Sequence, residues 1–85
     1  MNRAINVKPM NNYLLLVKFD NEEVRIFNCF PLLEDKLYAE LKNESFFRDV
    51  HIDDMGLVCW DNNIDINPYY LYENSENVNS FAFAV

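Results

Sequence analysis

Tyr13, Leu15, Val17 and Phe19 alternate with Leu14, Leu16 and Lys18, which is the period of two that a β-strand imposes on its side chains. Both sets are largely apolar, so this strand calls for cover on both faces. Asp20, Asn21 and Glu22 supply turn chemistry, and residues 23–29 resume the alternation, with Glu23 and Arg25 set against Val24 and Ile26. The two runs form a hairpin. Ahead of them, residues 4–8 make a short extended piece with Ile5 and Val7 on one face, ended by Pro9.

At Pro31 the period lengthens. Leu33, Leu37 and Leu41 lie four apart with Tyr38 beside them, and Glu34, Asp35, Lys36, Glu40 and Lys42 fill the gaps. That spacing predicts an amphipathic helix of about two to three turns, ended at Asn43. Residues 43–47 then turn and deliver Phe46 and Phe47 to the core. Alternation returns over residues 48–53, with Val50 and Ile52 inward and Asp49, His51 and Asp53 outward.

Asp53, Asp54, Met55 and Gly56 make a tight hairpin loop, with Gly56 in the left-handed position. Residues 57–61 return with Val58 and Trp60 inward. Asp61, Asn62 and Asn63 turn again, Ile64 and Ile66 give a brief extended piece, and Pro68 opens a short helical turn to Tyr72.

These elements sum to an α+β domain over residues 1–72. Its expected architecture is a small antiparallel sheet of about five strands with one main helix on one face, in the order β-β-β-α-β-β. Residues 73–85 read as a polar linker followed by an apolar tail of Phe81, Phe83 and Val85.

Composition supports one small domain. Half of the 85 residues are apolar and 15% are aromatic, enough to build a dense core at a size where folding buries only ~60–65% of the unfolded surface. Fourteen acidic residues against seven basic ones leave a net charge of −7. Arg3, Lys8, Lys18, Arg25, Lys36, Lys42 and Arg48 form no run, so direct nucleic-acid binding is disfavoured, while the acidic surface is compatible with solubility or with a small, basic protein partner. No window approaches the ~20 apolar residues of a membrane span, and a cytoplasmic location with reduced thiols is expected.

Candidate chemistry is sparse. Cys29 and Cys59 fit the role of small core residues better than that of zinc ligands, because only His51 and carboxylates remain to complete a set of four. His51 and Asp53 share a strand face, which would suit acid/base or ion-binding work; a solvated strand edge is the plainer reading. Trp60 with Asp61 and Asp65 resembles an aromatic platform between carboxylates, yet alternation turns Trp60 inward, and Asp65 is expected to bond amides near Pro68. No Gly-rich loop cradles phosphate. No cofactor and no metal are expected.

The order of these features resembles the small bacterial domain-of-unknown-function family 2442. The resemblance runs through Tyr13-Leu14-Leu15, Val17-Lys18-Phe19, Glu23-Val24-Arg25, Pro31-Leu32-Leu33, Leu41, Phe47 and Val50. It continues through Gly56-Leu57-Val58-Cys59-Trp60, Ile64-Asp65-Ile66-Asn67-Pro68 and Leu71-Tyr72, and is most specific from Trp60 to Pro68. Asn21-Glu22 and Asn62-Asn63 stand where the family tends to place Gly, and Asn is the least costly substitute at positive φ. The resemblance implies a small antiparallel sheet with a helix on one face. It also implies a gene neighbour of the kind found in toxin-antitoxin pairs, and it carries no catalytic residues.

If Tyr13, Leu15, Val17 and Phe19 pack under the helix, then Leu14, Leu16, Phe27, Cys29, Leu57 and Cys59 point the other way, and one helix cannot cover both sides. The expected function is therefore a non-enzymatic protein-interaction module, a homodimer or a subunit of a toxin-antitoxin-like pair. Its candidate interface is Leu14, Leu16, Phe27, Tyr69, Tyr70, Phe81 and Phe83. The alternative is a small ligand-binding or catalytic subunit using His51, Asp53 and Asp65.

Overall fold

The computed structural model describes residues 2–78. In chain order its elements are β1 (Ala4–Met10), β2 (Leu14–Phe19), β3 (Val24–Asn28), α1 (Glu44–Phe47), β4 (His51–Ile52), β5 (Val58–Trp60), β6 (Ile64–Asp65), α2 (Pro68–Glu73) and β7 (Ser75–Asn77). The α+β class holds. The strands divide into two antiparallel sheets rather than one: a four-stranded sheet in the order β1-β2-β3-β7, and a three-stranded sheet β4-β5-β6.

Loop geometry follows the side chains available. The Met10↔Leu14 and Trp60↔Ile64 pairs each close a three-residue loop whose last two residues have positive φ: Asn12 and Tyr13 at 62°, Asn62 and Asn63 at 65° and 60°. Asn tolerates that region and Tyr does not. Tyr13 is held there from two sides: its ring meets Phe47 edge-on at 5.1 Å, and its hydroxyl donates to the Lys42 carbonyl at 2.6 Å. Gly56 takes the left-handed position expected of it, at φ 83°. In the β2–β3 turn the positive φ falls on Glu22 at 74°, while the Asn21 Oδ1 accepts from the Glu23 amide.

Pro9 does not end β1. The strand runs on to Met10, because β1 lies at the edge of its sheet, where a missing N–H leaves no neighbouring strand unpaired.

The predicted main helix is corrected as well. Residues 30–42 form two 3-10 helices, Phe30–Glu34 and Lys36–Lys42, separated at Asp35. Asp35 adopts an extended backbone and its carboxylate accepts from the Leu37 amide, so it starts a second helix instead of continuing the first. With ~3 residues per turn, the i, i+4 leucines no longer share a face. Leu33 and Leu41 are buried, but Leu37 is 74% exposed.

The core forms against one face of the four-stranded sheet. Leu15, Val17, Phe19 and Phe27 meet Leu33, Leu41, Phe47, Val58, Trp60, Ile66 and Leu71 there. Phe47 arrives on α1, whose N-terminal amides at Ser45 and Phe46 are capped by the Asn43 Oδ1. Its carbonyl accepts the Trp60 Nε1–H at 2.8 Å, satisfying the one polar atom of a buried indole. Pro68 opens α2 as expected, and α2 lies on the same inner side, with Tyr72 edge-on to Phe19 and Tyr70 edge-on to Phe27.

Ser75–Asn77, expected as polar linker, is the fourth strand. It pairs with β3 through Arg25↔Asn77, Ile26↔Glu76 and Phe27↔Ser75. The Arg25 guanidinium fastens it, donating to the Ser75 hydroxyl at 2.7 Å and the Ser75 carbonyl at 2.6 Å while lying 4.3 Å over the Tyr72 ring. Glu23 bonds the same guanidinium and the Tyr72 hydroxyl; the Tyr72 bond, then Arg25, holds its carboxyl below the ordinary range. Phe81, Phe83 and Val85 lie outside the described residues.

Candidate functional site

Strand pairing fixes which side chains share the other face of the four-stranded sheet. Directly opposed residues of an antiparallel pair project to the same side. From Lys8↔Leu16, Leu16↔Ile26 and Ile26↔Glu76, one row crosses all four strands as Lys8, Leu16, Ile26, Glu76. A second row runs Met10, Leu14, Asn28, and a third Asn6, Lys18, Val24. Met10, Leu14, Leu16 and Ile26 are half-buried and none of them belongs to the core cluster or packs against it. Asn6, Lys8, Leu16, Lys18 and Val24 line a shallow hollow of roughly 280 Å3 on this side. The apolar centre of this face has charged residues at both margins, Lys8 on β1 and Glu76 on β7.

Of the residues expected at this surface, Leu14 and Leu16 are there. Phe27 is not: it is 2% exposed and belongs to the core. The hairpin sets Leu15 opposite Phe27, so Phe27 shares the inner side with Leu15, and Cys29, fully buried, lies in the core as well. Leu57 and Cys59 are likewise off this face, with Cys59 in the second sheet. Tyr69 and Tyr70 are exposed, at 63% and 45%, but they ride on α2, behind the inner side. Phe81 and Phe83 lie outside the described residues.

Met10, Ile26 and Glu76 were not foreseen. The β2–β3 turn carried the signal for Ile26, since folding the hairpin about residues 20–22 puts Leu16 opposite it. Nothing local announces Glu76.

The alternative site is also partly assembled. His51↔Cys59 and Cys59↔Asp65 place these three abreast across the three-stranded sheet. Their bonding is structural. His51 Nδ1 lies 3.1 Å from the Asp49 carbonyl, and the Asp53 carboxylate accepts from the Met55 and Leu57 amides to close its own turn. Asp65 does not bond the amides near Pro68; the Asn67 Oδ1 accepts from Tyr69 and Tyr70 instead, and the Asp65 carbonyl accepts from the Tyr38 hydroxyl.

Burial, then the neighbouring Asp53 and Asp65, push the Cys59 thiol up, away from the thiolate a nucleophile needs. Burial alone pushes Cys29 up to about 12. Among the described residues no group of three or more His, Cys, Asp or Glu is placed to hold a metal ion. A hollow of roughly 370 Å3 beside this sheet is lined by Leu37, Tyr38, Asn62, Asn63, Ile64 and Asp65, with one carboxylate as its only charged group. No helix among the described residues is long and apolar enough to cross a membrane.

Two small antiparallel sheets around one core, with an apolar row on the outer face of the larger, define an α+β protein. Residues 4–77 match the sequence model of DUF2442, a family described as proteins of unknown function, and the chain belongs to that family. The match ends at Asn77, the last residue of β7. No curated protein and no solved structure matches the chain.

Proposed function

We propose that this chain is a protein-interaction module that works through the outer face of its four-stranded sheet, and that it is not itself a catalyst. One observation carries the reading: Met10, Leu14, Leu16 and Ile26 present a half-buried apolar surface that the core does not use. Covering such a surface releases ~25 cal/mol for each Å2 of apolar area removed from water, which favours a bound state. The partner side of a toxin-antitoxin-like pair, or a homodimer, is the class of role this supports.

The test compares the full-length chain with Leu16→Glu and His51→Ala, each tagged and recovered from the native host. Proteins enriched on the wild-type chain, a second untagged copy included, should be retained by His51→Ala and lost from Leu16→Glu. Equal recovery on wild type and Leu16→Glu, or loss with His51→Ala alone, would contradict the reading and move the function to the His51, Cys59, Asp65 row.

A further inference from the structure

We infer that the occupant of the outer sheet face is a second copy of this chain, packed face to face about a two-fold axis parallel to the strands. The inference rests on the reading of that face as the working surface. Its argument is the row Lys8, Leu16, Ile26, Glu76, which runs from the β1 edge to the β7 edge of the sheet. A two-fold axis along the sheet's midline, between β2 and β3, exchanges the two edges. It therefore lays Lys8 of one copy over Glu76 of the other and Leu16 over Ile26, and does so twice.

The row is its own complement: cationic at one end, anionic at the other and apolar between. An isologous contact needs that property, because the same patch must satisfy both subunits. The neighbouring row behaves compatibly. It sets Lys18 over Val24, where a lysine stem can lie along an apolar side chain with its ammonium at the rim, and Lys18 already has Glu22 as a counter-ion at 3.9 Å.

Size limits the strength. Four strands ~4.8 Å apart, with seven, six, five and three residues, give a face of at most roughly 20 by 20 Å. That is smaller than the ~800 Å2 per partner of a standard interface. A weak dimer is expected, with a dissociation constant on the order of 10–100 μM.

Sedimentation equilibrium of the full-length protein to about 1 mM tests this, with Lys8→Glu, Glu76→Lys, the double exchange, and Leu16→Glu alongside. Lys8 and Glu76 are exposed, so all three charge variants should keep the wild-type circular dichroism spectrum. Each single exchange sets like charges together at two symmetric contacts and should weaken dimerisation roughly tenfold or more. The double exchange restores both pairs and should return within about threefold of wild type. Leu16→Glu should be monomeric.

A wild-type monomer at every concentration overturns the inference. So does a dimer indifferent to Leu16→Glu, or a double exchange as weak as the singles. If a monomer dimerises only when Phe81 and Phe83 are changed to Ser, the chain's own terminus occupies the face, which also overturns it. If the wild type is monomeric yet a different protein is still lost with Leu16→Glu, this inference fails and the interaction reading stands.

Discussion

Cys29 shows how far a single residue's role can be derived from its surroundings. It sits just past β3, ahead of the Phe30–Glu34 helix, with no solvent exposure, and burial pushes its thiol from 9 up to about 12. The folded chain therefore keeps this proton where an unfolded thiol has released it. Cys29 favours the folded state fully below pH 9, and that contribution is lost as pH rises towards the folded value, at up to about 1.4 kcal/mol per pH unit. Urea denaturation between about pH 8 and pH 10.5 should show a steeper loss for wild type than for Cys29→Ala; parallel losses would contradict this. The sequence already supported a buried thiol, from its place on a strand among apolar residues. At Tyr13 it offered no hint, since a tyrosine at positive φ is tolerated only because Phe47 and the Lys42 carbonyl, both distant in the chain, hold it.

Short elements here depend on caps more than on propensity. α1 has four residues, too few to persist alone, and the Asn43 side chain satisfies two of its free amides. Asn43→Ala should cost about 1 kcal/mol in urea denaturation, while Asn43→Asp, which keeps the acceptor, should remain close to wild type. A loss equal for both would show that the amide, and not the cap, matters. The Gly56 loop, Asn62-Asn63, Pro68 and the β2–β3 hairpin were legible because each is a local signal. Residues 30–42 misled for a physical reason: the leucine spacing is helical, but the extended backbone at Asp35 breaks the run, and the tighter 3-10 winding puts Leu37 in solvent. β7 was invisible because Ser-Glu-Asn carries no hydrophobic period. Its pairing comes from Arg25, 50 residues earlier in the chain.

At the scale of the whole molecule, the sequence showed that β2 is apolar on both sides and that a surface would be left over. It did not assign that surface's members correctly. The turn at residues 20–22 pairs Leu15 with Phe27 and so turns Phe27 inward, and the division into two sheets takes Leu57 and Cys59 off this face. With the register in hand, the surplus surface resolves into Met10, Leu14, Leu16 and Ile26 between Lys8 and Glu76. The most direct measurement is methyl NMR of the full-length chain with a soluble paramagnetic agent, first dilute and then at a concentration or partner ratio that saturates the face. In the dilute sample the Met10, Leu14, Leu16 and Ile26 methyls should be broadened while Leu15, Val17, Leu33 and Leu41 stay sharp; on saturation the first group alone should become protected. Unchanged broadening of that group under both conditions, or protection centred instead on Leu37 and Leu57, would contradict a working outer face.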